Sequence, residues 1–157
     1  MRIRGGVWPF RSRTGAGRGP SVAGMNVLHV TPRFDLIGLV VADMAASLAF
    51  YRRLGLDVPE GAEREPHVEV VLKGGLRLAW DTVETVRSFD PRWAPAQGSR
   101  VGLAFDCGTP QGVDVVWEEL TGAGYEGHLK PFDAFWGQRY ATLHDPDGNA
   151  VELFATV

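Results

Sequence analysis

The 157-residue chain has one cysteine, no apolar run near the ~20 residues that cross a bilayer, and no block of acidic charge. A lone Cys107 excludes an internal disulfide, so the fold does not depend on an oxidising compartment. There is no glycine-rich phosphate loop and no Gly-x-Ser-x-Gly elbow, and Cys107-Gly108 has no base beside it in sequence. Phosphate-loop and nucleophilic-triad chemistries are therefore set aside. Charged residues at 22% and apolar residues at 45% exclude a disordered chain. The expectation is a cytoplasmic protein with no membrane partner.

Charge is unevenly placed. Residues 1–24 hold five arginines, six glycines and no acid, which leaves 11 basic against 19 acidic residues in the remainder. The segment has no apolar h-region, so it is not a secretory signal. A basic arm gripping nucleic acid competes with a loose tail; the acidic body argues against nucleic acid, and the tail is the reading taken. Residues 1–33 are read as a flexible lead-in, and 34–157 as the folded domain.

That domain is written twice. Leu36 to Val41 is a branched apolar run that reads as a strand, and Asp43 opens a helix through Met44, Ser47, Leu48, Tyr51 and Leu54 that Gly55 stops. His67 to Leu72 and Leu76 to Trp80 read as a hairpin around Lys73-Gly74-Gly75. Val101 to Phe105 repeats the first strand, and Val113 to Leu120 repeats the helix with Trp117 on its core face. Arg139 to Leu143, a turn at Asp145-Pro146-Asp147-Gly148-Asn149, and Ala150 to Phe154 complete the copy. Each half carries a weak second strand, around Asp57-Val58 and Glu126–Leu129. Thr82 to Ser99 is the connector. The class is α+β: two βαβββ modules, about 34–86 and 100–157, forming a curved mixed sheet with helices outside and a concave groove.

Val40-Val41-Ala42-Asp43, Phe50-Tyr51, Leu54-Gly55-Leu56 and the closing Asp-Pro-Asp-Gly-Asn turn with Glu152-Leu153-Phe154 resemble the vicinal-oxygen-chelate superfamily of glyoxalases, extradiol dioxygenases, fosfomycin-resistance enzymes and bleomycin-binding proteins. The resemblance covers residues 34–157 and implies paired modules, commonly in homodimers. The family's enzymes hold a divalent metal, and alignment puts their four ligand positions at Leu36, Gly102, Leu78 and Glu152. Three of the four lack a donor, and one carboxylate does not hold a dication against water. The resemblance thus implies the metal-free, drug-binding branch, with no cofactor and no catalytic residue.

His67, Glu69, His128 and His144 offer another donor set, but none shows the i, i+4 helical spacing of a strong metal motif, so they read as ordinary histidines and a carboxylate. Strand alternation puts Leu76, Leu78 and Trp80 on one face, which the alignment makes the groove. Leu36, Gly38, Val40, Gly102, Ala104, Glu152 and Phe154 share it. Trp93, Phe132, Phe135 and Trp136 fall in loops or at strand ends and read as a binding rim, whereas Phe105 and Trp117 fit the core. Asp81, Gln138, Arg139 and Glu152 are candidates to orient a ligand by hydrogen bonds. Residues 75–85 and 127–140 look most like the mitomycin-resistance type, which implies stacking on Trp80 and Trp136 and a pocket edge at Asp81–Thr85. The expected function is sequestration of a bulky, partly aromatic or cationic small molecule such as an antibiotic, by a homodimer. The alternatives are a metal-dependent lyase, isomerase or dioxygenase of the same superfamily, and a non-catalytic structural or regulatory dimer.

Overall fold

A computed structural model describes residues 32–157; the arginine-rich segment lies outside the described residues. The described residues are α+β and hold two mixed sheets and three α-helices. The first half runs β1 (Leu36–Val41), α1 (Met44–Arg53), β2 (His67–Val71), β3 (Arg77–Thr82) and α2 (Val83–Phe89). The second runs β4 (Gly102–Asp106), α3 (Pro110–Gly122), β5 (Gly127–Ala134), β6 (Gln138–His144) and β7 (Ala150–Thr156). Sheet order is β1-β3-β2 and β4-β7-β6-β5, and in each sheet the first strand lies parallel to the last strand of its module. Among the described residues no helix is long and apolar enough to cross a membrane.

Helix starts follow their side-chain chemistry. Asp43 accepts from the Ala46 N–H at 3.0 Å and Thr109 from the Gly112 N–H at 3.1 Å, each satisfying a donor that the first turn leaves unpaired. Thr82 does the same for Thr85 at 3.2 Å, so the start of the expected connector is a helix, with Val86 buried on its inner side. The weak strand expected at Asp57-Val58 does not form. Arg52 reaches from the end of α1 and donates to the carbonyls of Val58 (3.1 Å) and Pro59 (2.6 Å), while Pro59 brings no N–H to a ladder. The first module is thus βαββ, and the second is a full βαβββ. In that second module β5 is longer than expected and irregular on either side of Leu129, with Pro131 on the open edge, where a missing N–H costs no ladder bond.

The register shows which face each residue serves. Ile37 and Leu39 pair beside Leu78 and Trp80, and Trp80 meets the α1 residue Tyr51 ring to ring at 5.4 Å. Leu39, Val41, Val68, Val70, Leu78 and Trp80 are buried under α1. In the second sheet Val151, Leu153, Ala141 and Leu143 meet Val113, Trp117 and Leu120 of α3. Gly127 is required here, because a Cβ on it would stand 2.6 Å from the Trp117 ring. Each large apolar side chain buried in this way contributes about 1.5–3 kcal/mol.

The helix-bearing faces of both modules share one core. Phe50 on α1 meets Tyr125 beyond α3 edge to face at 4.8 Å, and the Tyr51 hydroxyl donates to Asp145 at 2.8 Å. No strand ladder joins the two sheets among the described residues, so β1 and β4 are both sheet edges. The opposite faces of the sheets turn away from this core.

Candidate functional site

The outward face of the second sheet is built from alternate residues of β4, β7, β6 and β5. Ala104 pairs beside Glu152, Glu152 beside Thr142, Phe154 beside Tyr140, and Tyr140 beside Phe132. Glu152 lies over the bare backbone of Gly102, where an added Cβ would sit 2.5 Å from its Oε1. The glycine is therefore the space the carboxylate occupies. The Tyr140 hydroxyl lies beside Thr142 and Glu152; burial raises its pKa, Thr142 pulls it down, and the Glu152 charge adds to the rise. At the β5–β6 turn, Trp136 is fixed by its Nε1–H, which donates to Gln138 at 2.8 Å. Its ring stands edge to face with Phe132, Tyr140 and Phe135. Trp136 is 48% exposed and Phe135 97%, far beyond what a core would leave.

The outward face of the first sheet is different in kind. Leu36, Gly38 and Val40 of β1 run beside Arg77, Ala79 and Asp81 of β3, which in turn face His67 and Glu69 of β2. His67 Nδ1 lies 2.7 Å from Asp81 and Nε2 3.7 Å from Glu69. Arg77 donates to Glu69 at 2.8 Å and to Asp35 at 2.5 Å, and that guanidinium holds the Asp35 carboxyl below its usual range. Apolar strand and connected charge lie side by side there.

A cavity of about 450 Å³ opens where the modules meet, lined by Val40, Ala42, Arg87, Trp93, Asp147 and neighbouring connector and turn residues. Arg87 sits 5.8 Å above the Trp93 ring. Asp147 accepts from the Ala42 N–H at 2.8 Å, and burial lifts its carboxyl above the ordinary value.

The sequence-predicted site residues sort clearly. Leu36, Gly38, Gly102, Ala104, Glu152, Phe154 and Asp81 face outward, and Phe132, Phe135 and Trp136 come together. Phe132 belongs to strand β5, not to a loop. Leu78 and Trp80 lie on the opposite face: Trp80 is fully buried against Tyr51, so it is core and not a stacking surface. Arg139 also turns inward, where Asp114 of α3 takes it at 2.7 Å and Asp133 at 3.2 Å. Trp93 lies apart from the aromatic group, over the cavity. Tyr140 was missed, although alternation from Gln138 along β6 puts it on the same face as Glu152's neighbour Thr142.

Two small β-rich modules with helices on one side and open, side-chain-lined sheet faces on the other define a class of paired-module α+β proteins. Residues 29–153 match the family described as "Glyoxalase/Bleomycin resistance protein/Dioxygenase superfamily", and the chain belongs to that family. Among curated proteins none matches the chain. Solved structures similar to it include a glyoxalase/bleomycin resistance protein/dioxygenase family enzyme from Burkholderia phytofirmans PsJN, with TM-score 0.70 and 19% identity over 80% of this chain and 100% of that one. A glyoxalase-related enzyme from Fulvimarina pelagi gives 0.67 and 21%, over 80% and 89%. A glyoxalase/bleomycin resistance protein/dioxygenase from Nocardioides gives 0.63 and 24%, over 83% and 87%. These likenesses are of fold.

The residues present do not fit the metal that the family's enzymes use. Leu36 and Gly102 offer no donor, Leu78 faces the core, and its outward neighbour Ala79 is also without one. A ligating side chain at position 102 would take the volume that Glu152 fills. Among the described residues no group of three His, Cys, Asp or Glu side chains is placed to hold an ion.

Proposed function

We propose that this protein binds a bulky, partly aromatic small molecule and sequesters it without transforming it, as an antibiotic self-resistance protein does. The observation that carries the reading is the outward face of the second sheet, where Phe132, Trp136, Tyr140 and Phe154 crowd beside one carboxylate at positions otherwise stripped of metal donors. Exposed aromatic side chains at a rigid strand turn cost little entropy to hold and offer large contact area. The proposed assembly is a homodimer that brings the open β1 and β4 edges of two copies together, with the ligand between subunits. Support for it comes from the shared core: each module has spent its helix face on its own chain's other module and keeps its outer face and edge for another.

Tryptophan fluorescence during titration with antibiotics that carry flat ring systems, mitomycin C and bleomycin among them, tests the reading. Saturable quenching with ligand recovered unchanged is the expected result. Turnover of the ligand, or binding seen only after Fe, Mn, Ni or Zn is added, would replace sequestration with metal-dependent catalysis. No response across the panel would leave a non-binding structural dimer.

A further inference from the structure

The rings of Phe132, Trp136 and Tyr140 are mutually close to perpendicular, at 89° for Phe132–Trp136, 78° for Phe132–Tyr140 and 79° for Trp136–Tyr140. Their centroids are 6.2, 5.9 and 5.5 Å apart. A flat ligand lies against one such wall only, because a plane parallel to one ring meets the other two edge-on. A compact rounded group can sit within about 6 Å of all three centroids, the range over which an aromatic face attracts a cation. Charge on the site favours the same occupant. Glu152 brings a negative charge to the same face of the sheet, one pair along the β6–β7 ladder from Tyr140, which sits opposite Phe154. Arg139, next to Tyr140 in sequence, is turned through the sheet to Asp114 and Asp133 and brings no positive charge to the corner. The Trp136 wall is held in place before any ligand arrives by its bond to Gln138.

We infer that Phe132, Trp136 and Tyr140, with Glu152 behind them, form a subsite for an alkylammonium group, so that the sequestered molecule carries a methylated or quaternary amine. The inference rests on the ligand-binding reading above and adds the chemistry of the ligand's head group. Choline and its neutral isostere 3,3-dimethylbutan-1-ol, titrated into the full-length protein and followed by the proton signal of their methyl groups, test it. The choline methyls should move upfield under the ring currents, with at least tenfold tighter binding than the isostere. Trp136→Leu and Glu152→Gln should each weaken choline at least fivefold while the melting temperature holds. Equal binding of the neutral isostere overturns the subsite, as does choline binding that survives both substitutions. If planar antibiotics bind but choline does not, the groove stands and the ammonium subsite falls; if neither binds, both fall.

Discussion

Removing one oxygen atom, in Tyr51→Phe, tests how the two modules are joined. The Tyr51 ring is fully buried between Phe50 and Trp80, and the substitution keeps both contacts. It deletes the 2.8 Å hydrogen bond to Asp145, 94 residues away in the other module. Burial, and then the Asp145 charge, push the phenol pKa well above its ordinary value, so the hydroxyl remains a donor at every working pH. A hydrogen bond to a charged acceptor contributes about 1.5–3 kcal/mol. Asp145 keeps the N–H groups of Asp147 and Asn149 and the Asn149 amide, so the loss should fall near the lower figure. For a chain of this size that is a drop of roughly 3–6 °C in Tm. Asp145→Asn should cost more, because it turns one acceptor oxygen towards donors as an NH2 group. In a double-mutant cycle by urea unfolding, the pair should couple by about 1 kcal/mol or more. A Tyr51→Phe loss under about 0.5 kcal/mol, or strict additivity with Asp145→Asn, would refute the view that this bond ties the modules together.

Other outcomes follow from the same geometry. Trp80→Ala should cost about 3–5 kcal/mol in urea unfolding, as a large ring removed from a core does; a stable variant with weakened ligand binding would return Trp80 to the groove. Gly102→Ala forces only the flexible end of Glu152 to move, so stability should stay within about 0.5 kcal/mol while ligand affinity drops; calorimetric titration showing unchanged affinity would remove Glu152 from the site. Asp147 has a raised folded pKa, so its favourable contribution is complete below the ordinary carboxylate range and is lost as pH rises through the folded value. Asp147→Asn should therefore gain on the natural chain between pH 3 and pH 7, as read from urea midpoints; a pH-independent difference would contradict the buried charge.

Much of this architecture was legible in the residue pattern because the two expected helices and most strands carry their own signals: Asp43 opening the first helix and Gly55 stopping it, the branched run at 36–41, and the turn residues at 145–149. That the first half lacks a second strand was not legible, since the carbonyls of Val58 and Pro59 are taken by the Arg52 side chain, a contact that no strand or helix periodicity encodes. Faces were harder than elements. Alternation correctly grouped Leu78 with Trp80, but period two does not say which side a helix will cover; that is decided when Tyr51 arrives from α1. Arg139 misled for a related reason, its partner Asp114 being on α3. Phe132, Phe135 and Trp136 stood out because they break with the core pattern, and Tyr140 hid because a tyrosine in a strand looks like packing.

Metal-stripped protein, prepared with a chelator and verified by elemental analysis, offers the most direct test of the central claim. Titrated with planar, amine-bearing antibiotics before and after addition of Fe, Mn, Ni or Zn, it should bind with the same affinity in every sample and return the ligand chemically intact. Binding or product formation that appears only in a metal-loaded sample would contradict a groove built on aromatic rings and one carboxylate.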